Sequence, residues 1–137
     1  MKNLPELARD AFARVIAAQK LAEGKFVYSV VLTDNVAHFA TNKSNLNEQS
    51  KSFVTANVMK LLAENKNVYV EIQGHTDKTG SAEYNKVLGL KRAEEVRDYM
   101  ASLGVPLHRM DVISYGEAKP ISEKNSDNRR VVIQIMQ

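Results

Sequence analysis

At 137 residues the chain is the size of one domain, long enough to bury about two-thirds of the surface its unfolded form would expose. Hydrophobic content of 44% and charged content of 26% fit an ordinary globular protein, and 19 basic against 16 acidic side chains, a formal net charge of +3, are too balanced to argue for a nucleic-acid partner. The absence of cysteine excludes disulfides, thiolate nucleophiles and cysteine metal sites, and no segment approaches the roughly 18 to 20 consecutive apolar residues of a membrane-spanning helix.

The first 20 residues carry Glu6, Arg9, Asp10 and Arg14 through them and so lack the apolar core of a signal peptide. If the natural protein is exported or anchored, the segment responsible lies outside this chain. Leu4, Ala8, Ala11, Val15, Ala18 and Ala22 recur at three- and four-residue steps, which predicts a helix over residues 3–23, stopped by Gly24. Its stripe is alanine-rich and shallow, which suits a linker better than a core element. The expected division is therefore residues 1–24 as an N-terminal helix or linker and 25–137 as the domain proper.

From Lys25 the pattern changes to strand character, in FVYSVVL and VAHFAT, separated by the polar turn cluster Thr33-Asp34-Asn35. Asn45 is a plausible N-cap with Glu48 in capping-box position, followed by an apolar helical face at Val54, Val58, Leu61 and Leu62. In NVYVEIQ, Val68, Val70 and Ile72 share one face of a strand and Tyr69, Glu71 and Gln73 the other. A second helix spans about Ala82 to Leu103 and ends at Gly104, with Pro106 beyond. Two further strands are expected near Asp111 to Tyr115 and Arg130 to Met136. This alternation predicts an α+β sandwich, a sheet with parallel pairs and two main helices on one face, plus the extra N-terminal helix.

Chemistry concentrates in GHTDKTGSAEYNKVLGLKRAEEV, Gly74 to Val96. His75 and Asp77 could be a base and its orienter in a hydrolase, but no nucleophile stands in a recognisable spacing: Thr76, Thr79 and Ser81 form no nucleophile elbow. The other histidines, His38 and His108, stand alone, so no metal site is expected. His75 reads as a structural residue at a strand end. In the helix, Tyr84, Leu88, Val96 and Met100 form a stripe at four-residue steps, and Arg92 fills the place between Leu88 and Val96. A guanidinium there must reach water or find an acceptor, because an unpaired buried charge is costly. Two readings stay open from the residues alone. Arg92 pairs with Asp77 or caps a carbonyl and does nothing else, or the two charges receive separate partners, Asp77 an ammonium and Arg92 a carboxylate, as a zwitterionic amino-acid group would supply.

The stretch resembles the OmpA-like peptidoglycan-binding family, whose pattern runs G-H-T-D, x-x-G, Y/L-N, x-x-L-S, x-x-R-A, x-x-V. Ordered matches continue in LGV (Leu103 to Val105), YGEAKP (Tyr115 to Pro120) and NRRVVI (Asn128 to Ile133), and FATNKSNL (Phe39 to Leu46) is similar to the segment that opens the family's first core helix. The resemblance covers roughly residues 28–137. It implies a β/α/β/α/β-β fold with a mixed sheet, no enzymatic activity and no cofactor. The implied ligand is the diaminopimelate of the peptidoglycan stem peptide, with Asp77 taking its ammonium and Arg92 its carboxylate. Asn85, Thr76, Asn42 and Arg129 fall at further positions of the family's motifs and are carried over as binding residues. The implied location is the periplasm of a Gram-negative envelope, associated with the cell wall and the outer membrane, with a tether supplied by a part missing here. A dimer is compatible with the sequence, as is a degenerate domain of the same family that serves protein assembly in a stator or secretion complex. Three departures from the pattern stand out: Ala40 for an acidic residue, Gly89 for serine, and a short 122–128 loop ahead of Arg129. Glycine at 89 lowers helix stability by about 1 kcal/mol relative to alanine unless close packing requires it.

Overall fold

The computed structural model describes residues 13–20, 26–33, 48–65 and 67–136. In chain order the elements are β1 (Ala13–Lys20), β2 (Phe26–Thr33), helix α1, β3 (Tyr69–His75), α2 (Ala82–Ser102), β4 (Met110–Gly116), the single turn α3 (Asn125–Asn128) and β5 (Arg130–Met136). Helix α1 comprises Glu48–Phe53 and Met59–Glu64 with a π-helical Val54–Val58 between them. The five strands form one sheet in the order β1-β2-β5-β3-β4. Only β3 and β4 run parallel, joined by the α2 crossover, while every other pair is antiparallel. The expected mixed sheet is thus observed.

The N-terminal segment differs from expectation. Over Ala13–Lys20 the chain is a strand, pairing antiparallel with β2 from Ala13↔Leu32 to Lys20↔Phe26, and not the helix expected across residues 3–23. A shallow alanine stripe gives a helix little to bury, whereas the adjacent β-branched Val15 and Ile16 suit a strand, and β2 would otherwise present an open edge of unpaired backbone groups. The division placed at residue 24/25 therefore falls between two paired strands. The rest of the expected helix lies outside the described residues, as do the VAHFAT strand, Asn45 and the positions of His38, Ala40 and Asn42.

One sheet face carries the core. Val30, Leu32, Val70, Ile72, Val131, Ile133 and Ile135 come together there, because the register pairs Val30 and Ile72 with Ile133 and Leu32 with Val131. Val54 and Val58 of α1 and Ala93, Val96 and Met100 of α2 pack onto the same cluster. Helix α2 has sharp ends for local reasons. Ser81 caps its start, accepting from the Tyr84 N–H at 3.1 Å. Gly104, at φ 106°, ends it in a Schellman turn in which the Val105 N–H donates to the Met100 carbonyl and the Gly104 N–H to that of Ala101.

The contact of α2 with the sheet depends on two glycines. A Cβ on Gly74 of β3 would lie 1.7 Å from the Gly89 carbonyl oxygen, and one on Gly89 would lie 2.4 Å from Ser114 Oγ and 3.0 Å from the Gly74 oxygen. Backbone meets backbone here, which is the packing reason that the sequence alone left conditional for Gly89. The hydroxyl beside that glycine comes from Ser114 on β4, where it accepts from the Gly116 N–H at 3.1 Å.

Candidate binding site

The site lies where β3 leaves the sheet and turns into α2. Asp77 is 4% exposed, and its Oδ1 accepts from the Thr79 N–H at 2.8 Å, an Asx turn that prepares the chain for the left-handed Gly80 (φ 93°). Its Oδ2 accepts from Arg129 Nη1, also at 2.8 Å. Burial alone would raise this carboxyl's pKa, but the hydrogen bonds from Thr79 and Arg129 and the guanidinium's charge outweigh it and hold the group below its ordinary value. Asp77 is therefore an ionised carboxylate at neutral pH.

Arg129 reaches it through sheet register. His75 pairs with Arg130 at the end of the β3/β5 ladder, so one further antiparallel step sets Arg129 beside Thr76. Thr76 itself is tied down, its N–H donating to the Gly116 carbonyl and its hydroxyl to the Asp77 carbonyl. The short loop ahead of Arg129 is held by Asn128, whose Oδ1 accepts from the Ile121 N–H at 2.8 Å while its Nδ2 donates to the Ser122 carbonyl at 3.0 Å.

Arg92 is the largest wholly buried side chain among the described residues, at 0% exposure, and Nη1 donates to the His75 carbonyl at 3.0 Å. The carbonyl-capping contact foreseen for it is therefore present, at the end of the strand that leads to Asp77. Leu88, Val96 and Met100 are buried on the same stripe, whereas Tyr84, assigned to it from spacing, is 45% exposed. Asn85 is 1% exposed and donates from Nδ2 to Glu117 Oε1 at 2.7 Å. The structure thus brings Asp77, Thr76 and Arg129 together, sets Arg92 behind the end of β3 and engages Asn85 with Glu117. Asn42 lies outside the described residues.

His75 is 2% exposed, stacked on Tyr115 at 5.3 Å, with Nε2 3.4 Å from Gln73 Oε1 and no hydrogen-bond partner for Nδ1 among the described residues. Burial, aided by the positive charges of Arg130 and Lys119, lowers its pKa to about 3. A neutral imidazole so enclosed is part of the scaffold. Among the described residues no group of three or more potential metal ligands occurs, and no helix is long and apolar enough to cross a membrane.

Beside Asp77 lies a polar cleft of about 570 Å³, lined by Thr76, Lys78, Glu117, Ser122, Asn125 and Asn128 among others. Of these, only Thr76 was singled out from sequence as a binding residue. Glu117 stands inside the YGEAKP match but carries no periodic or spacing signal of its own.

Comparison with known proteins agrees with this fold. A family model described as OmpA family matches residues 38–134. A peptidoglycan-associated lipoprotein of Rhizobium meliloti (strain 1021) is 34% identical over 136 residues, covering 96% of this chain and 75% of that protein. Several further relatives of the same name match over shorter stretches, down to 40% of their length. The crystal structure of the peptidoglycan-associated lipoprotein from Burkholderia pseudomallei superposes with a TM-score of 0.62 at 30% identity, covering 70% of this chain and 84% of that one. The periplasmic domain of Helicobacter pylori MotB shares the fold, with a TM-score of 0.73 at 20% identity over 89% of this chain and 81% of that one.

Proposed function

Because this chain belongs to the OmpA family, we propose that it is a non-catalytic module that binds peptidoglycan in the periplasm and ties an envelope protein to the cell wall. The observation that carries the reading is the buried, ionised Asp77, held by Thr79 and Arg129 at the margin of a polar cleft. A carboxylate has about four acceptor positions, and the hydrogen bonds from the Thr79 N–H, the Thr79 side chain and Arg129 leave room for one more, as an incoming ammonium would be. Arg129, nearer the surface, supplies positive charge for a carboxylate, and the wholly buried Arg92 adds its charge from behind the strand end. The zwitterionic end of diaminopimelate, which carries an ammonium and a carboxylate on one carbon, fits that arrangement of charges. Relatives named as peptidoglycan-associated support the polymer, and the charge pattern supports the amino-acid end of its stem peptide.

Sedimentation with purified peptidoglycan tests this. Asp77→Asn keeps the shape and removes the charge, and is expected to abolish co-sedimentation while the thermal melt stays cooperative. Full binding by both Asp77→Asn and Asp77→Ala would overturn the assignment.

A further inference from the structure

We infer that Glu117 is a specificity-determining residue of the same site, accepting an N–H of the bound stem peptide; the inference rests on the peptidoglycan-binding reading. Gly116 ends β4 at φ 52°, and a Cβ there would lie 3.1 to 3.3 Å from backbone atoms of Lys86 and Asn85. That bare glycine lets the strand end lie against α2, which delivers the next residue, Glu117, to Asn85. Asn85 is itself fixed, 1% exposed at the end of the first turn of α2. Its Nδ2 grips Oε1 of Glu117 at 2.7 Å, so the Glu117 side chain does not swing freely.

The other oxygen, Oε2, makes no hydrogen bond among the described residues, and Glu117 lines the cleft that begins at Thr76 and Lys78, the neighbours of Asp77 in the chain. A half-buried carboxylate with one oxygen immobilised and the other open is an oriented acceptor. It cannot donate, so it selects for a hydrogen-bond donor. On a stem peptide such donors are nitrogens, either the free ammonium or an amide N–H, and the charged acceptor makes the bond stronger than one between neutral groups. Lys78, on the same cleft, keeps the surroundings from being uniformly acidic and leaves room for the peptide's carboxylates nearby.

Glu117→Gln isolates this role from a merely structural one. The glutamine Oε1 still accepts from Asn85, so packing is retained, but the open position changes from an acceptor to an NH2 donor that would face the ligand's own donor. Binding of the full chain to a soluble stem peptide carrying diaminopimelate, followed by calorimetry, is expected to weaken about tenfold in Glu117→Gln, the scale of one charge-assisted hydrogen bond. If Glu117 served only to hold Asn85, Glu117→Gln would bind like the parent and only Glu117→Ala would fail. That result overturns the inference and leaves the peptidoglycan reading intact. Unchanged affinity in Asp77→Asn would instead overturn the reading on which it rests.

Discussion

The Asp77 carboxylate and the Arg129 guanidinium, 52 positions apart in the chain, meet at 2.8 Å with only 4% and 16% of their side chains exposed. Neither sits in the interior of a regular element. Arg129 follows the one-turn helix α3, and Asp77 stands two residues beyond the end of β3. Their contact means that the acid expected to grip a ligand is already oriented and ionised before any ligand arrives.

From this follows a pH dependence. In Arg129→Ala, burial of Asp77 is opposed by Thr79 alone, so the carboxyl's pKa rises and peptidoglycan binding is lost at a higher pH than in the parent. Arg129→Lys restores a charge and keeps the parent's profile in large part. Co-sedimentation across pH 3 to 7 checks this; coincident profiles for the parent and Arg129→Ala would show that Arg129 does not govern Asp77.

His75 predicts the response of stability to acid. Its folded-state pKa of about 3 lies below the ordinary value of 6.5, so between those limits the unfolded chain binds the additional proton. Its stabilising contribution is complete above about pH 6.5 and declines as the pH falls toward 3, by up to about 1.4 kcal/mol per pH unit. Asp77, also depressed, contributes with the same sign but only in the carboxylate range below it. Urea melts of the parent at pH 7, 5.5 and 4.5 are expected to show the decline, and His75→Gln to flatten it. An equal slope in the variant would remove His75 as its source.

The glycine contact predicts an inverted propensity effect. Gly89→Ala gains about 1 kcal/mol in helix propensity on an exposed helix, but here the new Cβ meets Ser114 Oγ and the Gly74 carbonyl, and a net loss of roughly 1 to 3 kcal/mol is expected. Adding Ser114→Ala removes the nearer obstruction and recovers part of the loss. Gly74→Ala drives a Cβ into helix backbone that cannot give way and is expected to cost about 3 kcal/mol or more. Chemical denaturation of the three variants measures all of these terms, and a more stable Gly89→Ala would refute the packing account.

How much of this was legible beforehand depended on how local the cause was. The limits of α2 follow from Ser81 and Gly104, whose capping geometries involve neighbours within five residues. The face of β3 follows from alternation along one strand, and Arg92 announced itself as a charge in an apolar stripe because helical periodicity alone puts it there. What spacing could not supply was the partner of each charge. Arg92 meets the His75 carbonyl because α2 packs against β3, and Asp77 meets Arg129 because β3 and β5 align in one register, with His75 opposite Arg130, where a shift of one residue would turn every side chain of the strand to the other face. The same holds for Gly89, whose propensity cost is visible in the sequence while the backbone it touches is not, and for Ala13–Lys20, where an open edge on β2 prevailed over a weak helical stripe. By itself the sequence determined the main elements from β2 onward, the capping of α2 and the charges of Asp77 and Arg92. Only the tertiary structure decided which groups those charges face, since strand register and helix-to-sheet distance are set by the whole core at once.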